Sequence, residues 1–182
     1  MKKNLLTLAI ILININYIFA QHESSKSNVD SLTKANVKNE IKINLVFGIA
    51  GVPEITYERL LNDNSGFGLS IFKALERDIE FQIGFTPYYR IYFGSKKASG
   101  FFIEANAVLM QLSEKYGYDT SADAYILSKN WNFGVGAAAG GKFLTKSNYL
   151  LELTFGAGRF VKDPYSAMKV YPRGGISIGK RF

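Results

Sequence analysis

The chain has 182 residues, 47% of them hydrophobic and 14% aromatic, with a formal net charge of +7 and no cysteine. The lack of cysteine excludes disulfides, a lipid anchor on a cysteine thiol and thiolate metal sites. The basic residues are scattered rather than arranged in a stripe with aromatic side chains, so the composition does not support nucleic-acid binding.

The first twenty residues have the pattern of a cleavable secretory signal peptide. Lys2 and Lys3 give a positive start, an almost wholly apolar run follows at 5–13, and Ala20 is a small residue at the expected cleavage position. A membrane anchor is less favoured, because two asparagines interrupt a run already shorter than the ~20 residues of a spanning helix. We expect an exported protein whose mature chain, without the two lysines, carries a charge of +5 rather than +7.

Residues 21–39 are polar and predict a flexible periplasmic leader. From residue 40 the sequence alternates with period two, most clearly at 79–93, where Ile, Phe, Pro and Tyr share one parity. Such alternation predicts strands rather than helices. Similar runs bring the count to eight, and they begin near Glu40, Glu54, Gly66, Phe101, Trp131, Tyr149 and Met168.

The second parity of these runs carries Gly, Thr, Asn, Glu and Arg. An apolar face opposite a polar face predicts an all-β fold over 40–182, an eight-stranded antiparallel up-and-down transmembrane β-barrel with its apolar side outward. An even strand number places short turns in the periplasm, at Asn62–Ser65, Gly94–Gly100 and Thr145–Asn148. The longest connection, Ser113–Asn130, then lies outside, and its tyrosines 116, 118 and 125 make it the first segment to screen for a surface partner.

Aromatic residues at the proposed strand ends support this topology. Six of them predict a girdle at the periplasmic interface: Phe67, Phe93, Phe101, Phe143, Tyr149 and Phe182. Trp131 and Phe47 are expected to begin the opposite girdle. Pro87 and Pro172 lie inside proposed strands, where each removes a ladder hydrogen bond, so we expect a bulge or a local bend at each.

The last strand is amphipathic and ends in Phe182, which resembles the recognition signal of the outer-membrane assembly machinery, although Lys180 stands where an apolar residue is usual. The stretches GVPEITYERLL, TPYYRIYFG, GFFIEANA, GGKFLTKS and YPRGGISIGKRF resemble a family of small outer-membrane barrels of Bacteroidota-type bacteria, of unknown function and broadly OmpX-like in size. The resemblance covers about residues 40–182. It implies the fold and the compartment, but no activity and no functional residues.

Motifs for catalysis and cofactor binding are weak. Residues 136–142 satisfy G-x-x-x-x-G-K, but Phe143 replaces the hydroxyl residue that holds magnesium, and a strand rather than a helix follows. Small barrel enzymes that act on lipid A use a histidine base, and the single histidine, His22, lies in the leader. Serine–histidine catalysis and an imidazole metal site are therefore excluded. We expect a non-enzymatic protein with no catalytic, cofactor or metal site.

Charged residues on the inward parity form the main candidate site. Arg90 and Glu104 flank the second periplasmic turn, and Lys142 and Glu152 flank the third, so each pair should face across a hairpin. By this parity four bases and three acids share the lower half of the lumen: Lys42, Glu58, Arg90, Glu104, Lys142, Glu152 and Arg181. A charge-paired plug is favoured over an ion pathway or gate, because eight strands enclose little more than side chains.

On the outward parity, Lys73 and Arg159 lie near proposed outer ends, with Lys162 and Lys169 close by. They could bind lipopolysaccharide phosphates, and an ordinary solvated strand end is an equally good interpretation. We expect a monomeric surface or envelope-stabilising protein whose partners are outer-membrane lipid, lipopolysaccharide and the assembly machinery. A narrow channel for ions or small solutes is the alternative. A soluble lipocalin-like carrier is disfavoured, because its lumen would have to be apolar.

Overall fold

The computed structural model describes residues 37–76, 79–119, 124–161 and 168–182. Within them one short helix and eight strands follow in chain order: β1 (Asn39–Asn44), α1 (Leu45–Ile49), β2 (Glu54–Leu60), β3 (Ser65–Lys73), β4 (Phe81–Tyr92), β5 (Gly100–Asp119), β6 (Ala124–Leu144), β7 (Tyr149–Phe160) and β8 (Val170–Arg181). Each strand pairs antiparallel with its neighbour in the chain, and β1 pairs with β8. The predicted closed eight-stranded up-and-down barrel is confirmed.

The predicted signal peptide and residues 21–36 of the predicted leader lie outside the described residues. Asn39, the last residue assigned to the leader, already belongs to β1. In the part of the chain that the structure describes, no helix combines the length and the hydropathy needed to cross a membrane.

Side chains alternate between the lumen and the outer surface with little interruption. In β2, Glu54 and Glu58 are buried inside the barrel, whereas Ile55 and Tyr57 on the opposite parity are 54% and 46% exposed. The outer surface is therefore apolar and the interior polar, which reverses the arrangement of a water-soluble barrel. This reversal is typical of membrane barrels.

The two ends of the barrel differ in their connections. At one end, called the turn end below, residues 61–64, 93–99 and 145–148 join neighbouring strands. At the other, the loop end, β5 and β6 extend beyond the barrel wall. The six aromatic residues predicted for a girdle are all exposed and close to the turn end: Phe67, Phe93, Phe101, Phe143, Tyr149 and Phe182.

The segment Ser113–Asn130, predicted as a loop, is mostly strand. β5 continues to Asp119 and β6 begins at Ala124, and the two remain paired over that length. The prediction failed because the sequence of this segment shows no sustained alternation of apolar and polar residues. The backbones of the three tyrosines lie in this ribbon rather than in a loop.

Neither proline produces the bulge that was one of the two expected outcomes. The β4–β5 pairs on both sides of Pro87 keep one register, and the register shift of that ladder lies at Phe81–Ile83 instead. Pro172 is opposite Ala157 in an unshifted β7–β8 register, and the pairing of β8 with β1 stops at Ser177. No bulge is needed at Pro172, because the side of β8 without a partner strand can accept a residue that lacks an N–H group.

The β1–β2 connection closes part of the loop end. Asn44 caps α1 by accepting a hydrogen bond from the backbone N–H of Phe47 at 3.3 Å, and Phe47 lines the barrel mouth. Its predicted place in an outer girdle is therefore wrong. Trp131, the other residue predicted there, is half-exposed and stacks on Phe85 with ring centroids 6.3 Å apart.

Side chains fill most of the lumen. An apolar cluster occupies the loop end and consists of Val52, Phe72, Ala74, Val108, Met110, Leu112, Phe160 and Tyr171. A smaller cluster occupies the turn end and consists of Leu60, Tyr92, Ala98 and Phe102. Buried polar and charged side chains lie between them. An eight-stranded barrel is narrow enough for side chains alone to fill it.

Inward aromatic rings lie against glycines of the neighbouring strand. Four such pairs are directly opposed in the ladders: Gly68 with Tyr88, Gly84 with Phe72, Gly140 with Phe102, and Gly158 with Tyr171. A Cβ atom added at any of these glycines would overlap the ring. The glycines thus provide the space that large rings need inside a narrow barrel.

Candidate functional site

The barrel interior concentrates charged side chains, which are seldom fully buried unless they are paired. The buried charged residues of the described chain divide evenly into five acids and five bases. This set, called the interior network below, consists of Glu40, Lys42, Glu54, Glu58, Arg90, Glu104, Lys142, Glu152, Arg173 and Arg181. The formal charges cancel within the set.

Glu58 lies at the centre of the interior network. Five donors surround its carboxylate: Lys42, Lys142, Arg90, Tyr88 and Tyr92. The ammonium groups of the two lysines lie 2.5 and 3.3 Å from it, and the nearest guanidinium nitrogen lies 3.4 Å away. The Glu58 carboxylate thus faces three cations and two tyrosine hydroxyls.

Arg90 joins two further carboxylates to this centre. Its Nε donates to Glu104 at 2.6 Å, and its Nη1 lies 2.8 Å from Glu152. The guanidinium also lies over the rings of Tyr88 and Phe102, 4.4 and 4.2 Å from their centroids. Arginine suits this position because its planar fork can bind several carboxylate oxygens while its faces contact aromatic rings.

The two ion pairs expected to face each other across hairpins differ in their nitrogen–oxygen distance. Arg90 and Glu104 are directly opposed in β4 and β5 and are in contact. Lys142 and Glu152 are directly opposed in β6 and β7, but their nearest nitrogen and oxygen atoms are 3.8 Å apart. The shortest ion pair of Lys142 is with Glu40, at 2.7 Å.

One branch of the interior network extends to the loop end. Arg173 contacts Glu104 at 2.8 Å and Glu54 at 2.7 Å. Glu54 in turn accepts a hydrogen bond of 2.7 Å from the side chain of Asn44, the residue that caps α1. The branch therefore fixes the β1–β2 connection to the barrel interior.

A second branch extends to the turn end. Arg181 contacts Glu40 at 2.7 Å and donates to the carbonyl oxygens of Lys97 at 2.9 Å and Ala98 at 2.8 Å. These carbonyls belong to the β4–β5 connection, which folds inward so far that Ala98 is completely buried. The second branch thus holds a turn inside the barrel mouth.

Chemically, the buried charges of this arrangement compensate one another. Each buried charge of the interior network has at least one opposite partner in contact, and an apolar cluster lies beyond it at each end. A buried ion pair adds little net stability compared with apolar packing, but the loss of one partner is costly because it leaves a buried charge uncompensated.

The structure places all seven residues of the predicted lumen set in the interior network and adds three, Glu40, Glu54 and Arg173. The signal for the three was available in the sequence. Glu40 shares the inward parity of Lys42, and Arg173 shares that of Arg181. The prediction was confined to the lower half of the lumen, whereas Glu54 and Arg173 lie toward the loop end.

The predicted outward cations lie where the parity places them. Lys73 ends β3 and Arg159 is near the end of β7, both exposed at the loop end. Lys169 is also exposed, and Lys162 lies outside the described residues. A lipopolysaccharide contact stays a prediction.

Phe182, the predicted assembly signal, is 55% exposed, and its backbone forms hydrogen bonds of 2.8 and 2.9 Å with Asn39. The neighbouring outward residue Lys180 lies over the Tyr149 ring, with its ammonium 5.4 Å from the centroid. This contact shields a cation on an otherwise apolar surface. Recognition of Phe182 by assembly machinery stays a prediction.

Comparisons with known proteins agree with the fold and add no activity. No family model and no curated protein matches the sequence. The solved structure of the N-terminal β-barrel domain of OprF from Pseudomonas aeruginosa is similar, with a TM-score of 0.55 over 81% of this chain and 98% of that one. The sequence identity is 13%, so the likeness shows the fold alone. The chain is an eight-stranded β-barrel that resembles an outer-membrane barrel of a Gram-negative bacterium.

Proposed function

We propose that this chain is a closed, non-enzymatic outer-membrane protein with a structural or surface-interaction role. The observation that carries the proposal is the interior network, in which five buried acids and five buried bases neutralise one another between two apolar clusters. A lumen filled in this way leaves the outer surface and the loop end for partners. We also propose that the chain is a member of the family of small Bacteroidota-type barrels. In this proposal it is exported with a cleaved signal peptide and is a monomer.

The outer surface supports a lipid environment. Large apolar residues remain exposed on every strand, among them Ile41, Ile71, Ile91, Ile103 and Val135. A continuous apolar surface of this kind is unfavourable in water and favourable in hydrocarbon. Exposed cations at the loop end, including Lys73, supply positive charge where lipopolysaccharide phosphates would lie.

The mature protein is expected to fractionate with outer membranes. It should also migrate faster on denaturing gels when it is not boiled, because a closed barrel has no free edge from which to unravel. Cell fractionation followed by paired boiled and unboiled gels measures both properties. Recovery in the soluble periplasm, with one mobility before and after boiling, would contradict the proposal.

A narrow channel is the alternative function, and one observation favours it. A narrow polar cleft, with room for about one water, lies beside the interior network and is lined by Asn44, Glu54, Arg90, Glu152 and Arg173, together with small residues. Water in this cleft could reach the network. The contacts around Glu58 and the inward-folded β4–β5 connection then close the path to the turn end.

Planar-bilayer conductance separates the two functions. We expect a quiet wild type, and leak currents from Glu104→Ala and Lys142→Ala, because each variant removes a partner that holds other buried charges in place. Asp63→Ala, which breaks an exposed ion pair with Lys97, is the matched control and should stay quiet. Steady wild-type conductance that the two variants merely adjust would make the protein a channel.

A further inference from the structure

We propose that the outer face of the barrel binds an anionic phospholipid of the phosphatidylglycerol type at the turn end. The site, called the rim site below, consists of Asn39 on β1 together with Tyr57 and Arg59 on β2. The inference rests on the proposed function, because it takes the apolar outer surface to be in contact with lipid. It goes further by assigning one class of lipid to one place on that surface.

Arg59 is a cation on a surface that is otherwise apolar. It is exposed on the outward parity of β2, directly opposite Phe67 of β3, which is 51% exposed. Within the residues that the structure describes, its guanidinium donates to the side chain of Asn39 and contacts no carboxylate. A charge on the lipid face of a barrel is least costly at the membrane interface. At that depth a lipid phosphate can supply the counterion that the protein does not.

The aromatic girdle indicates the depth of the rim site. Two of its members lie on either side of the site. Phe67 is opposite Arg59, and Phe182 is joined to Asn39 by backbone hydrogen bonds of 2.8 and 2.9 Å. Aromatic girdles lie at the membrane–water interface. The guanidinium is therefore expected at the level of the lipid phosphates.

Asn39 holds the rim site in position. Its side-chain oxygen accepts a hydrogen bond from Nη1 of Arg59 at 2.6 Å and another from the hydroxyl of Tyr57 at 2.8 Å. The bond to Asn39 uses one guanidinium nitrogen, and the others can donate to phosphate oxygens. A planar guanidinium can bind two such oxygens at once. An arginine that is already held by a neighbour also loses less conformational freedom on binding.

The surrounding charges favour an anionic headgroup over a zwitterionic one. Lys180 of β8 is opposite Ile41, which is in turn opposite Tyr57, so β1 runs between two outward cations. The exposed acidic side chain that the structure describes at this end, Asp63, is already paired with Lys97 at 3.4 Å. The ammonium group of phosphatidylethanolamine would therefore meet cations without an available acidic side chain. The glycerol of phosphatidylglycerol adds no such charge.

Apolar residues next to the rim site favour a lipid over a free anion. Ile41 and Ile55 lie on the outward faces of β1 and β2, toward the middle of the barrel, and are 45% and 54% exposed. Acyl chains attached to a bound phosphate would lie along these side chains and remove them from other contacts. Inorganic phosphate could form the polar contacts but not the apolar ones.

Native mass spectrometry of the full mature protein in detergent micelles tests the inference. Phosphatidylglycerol and phosphatidylethanolamine with the same acyl chains are titrated separately, and inorganic phosphate is then added as a competitor. Arg59→Gln removes the guanidinium. Lys146→Gln is the matched control, because it removes an exposed cation at the same end that lies in the connection 145–148 rather than on the barrel wall.

The wild type should bind phosphatidylglycerol roughly fivefold more tightly than phosphatidylethanolamine, the upper range for an exposed ion pair. Arg59→Gln should lose most of this preference, and Lys146→Gln should keep it. Arg59→Lys should recover part of it, because an ammonium group retains the charge but not the two parallel hydrogen bonds. Inorganic phosphate should not displace the lipid.

Three results would overturn the inference: equal binding of the two lipids by the wild type, a preference that survives in Arg59→Gln, or displacement of the lipid by inorganic phosphate. The wild-type comparison needs no variant, so it is decisive even if Arg59→Gln does not fold. A barrel that fails these tests while it fractionates with outer membranes leaves the proposed function intact. Recovery in the soluble periplasm would instead contradict the proposed function itself.

Discussion

Glu58→Gln is expected to cause the largest loss of stability of any single substitution in the interior network, about 3–5 kcal/mol, the range for breaking a fully buried ion pair. The variant keeps the shape of the side chain but removes the charge that faces Lys42, Lys142 and Arg90 at 2.5–3.4 Å. The network then carries five bases against four acids, and the lysine ammonium groups lose their shared counterion. Urea unfolding of the refolded protein in lipid vesicles measures the free energy of unfolding.

The matched control for Glu58→Gln is Asp63→Asn. Asp63 is also an acid paired with a lysine, Lys97 at 3.4 Å, but its side chain is 78% exposed. Exposed pairs contribute about 0–1 kcal/mol, so this variant should unfold almost as the wild type does. Adding Lys42→Met to Glu58→Gln restores the balance of charges and should recover part of the loss. Equal losses in the buried and the exposed variant would contradict the role of Glu58.

Gly158→Ala is expected to destabilise the barrel by about 1–3 kcal/mol, the usual cost of overfilling a packed interior. The added methyl group would overlap the ring of Tyr171, which is directly opposed in β8. The ring cannot move aside freely, because its hydroxyl donates to Asn106 at 2.7 Å and the ring packs on Phe160, with centroids 5.6 Å apart. Urea unfolding in vesicles again gives the measurement.

A control and a double variant make this second test specific. Gly48→Ala adds the same methyl group at a glycine with no atom within 4 Å, and it should cost nothing measurable. In a Tyr171→Ala background, Gly158→Ala should lose most of its effect, because the ring it collides with is absent. The same cost in both backgrounds would show that the strand backbone, rather than the ring, resists the substitution.

The strands were predictable because a barrel imposes one constraint on every residue of its wall. A side chain faces either the interior or the outside, so alternation in β2 and β4 is visible directly in the sequence. The same constraint placed Lys42, Arg90 and Lys142 in the lumen. The constraint does not apply where β5 and β6 extend beyond the barrel wall, because that ribbon encloses no interior. The prediction of a loop at Ser113–Asn130 failed in this segment.

Contacts between distant strands could not be predicted from alternation alone. Parity places Lys142 in the lumen but does not say that Glu40, 102 residues away, binds it more closely than Glu152 does. That choice depends on the height of each side chain along the barrel axis, which is set by the stagger between strands. The contact between the Tyr171 ring and Gly158 depends on the same register. The sequence contains both residues, but alternation alone does not predict that they are neighbours.

Closing the barrel requires β1 to pair with β8, and this step restricts the conformational entropy of nearly the whole barrel chain. Every other ladder joins strands that are consecutive in the chain, whereas this one brings together Glu40 and Arg181, which are 141 residues apart. It does so with five register pairs, from Glu40 to Asn44. Loop-closure entropy rises with chain length, so this short ladder bears the greatest topological cost in the fold. The buried ion pair between Glu40 and Arg181 lies in the same ladder. It links the first and last strands, which no short connection of the chain keeps close together.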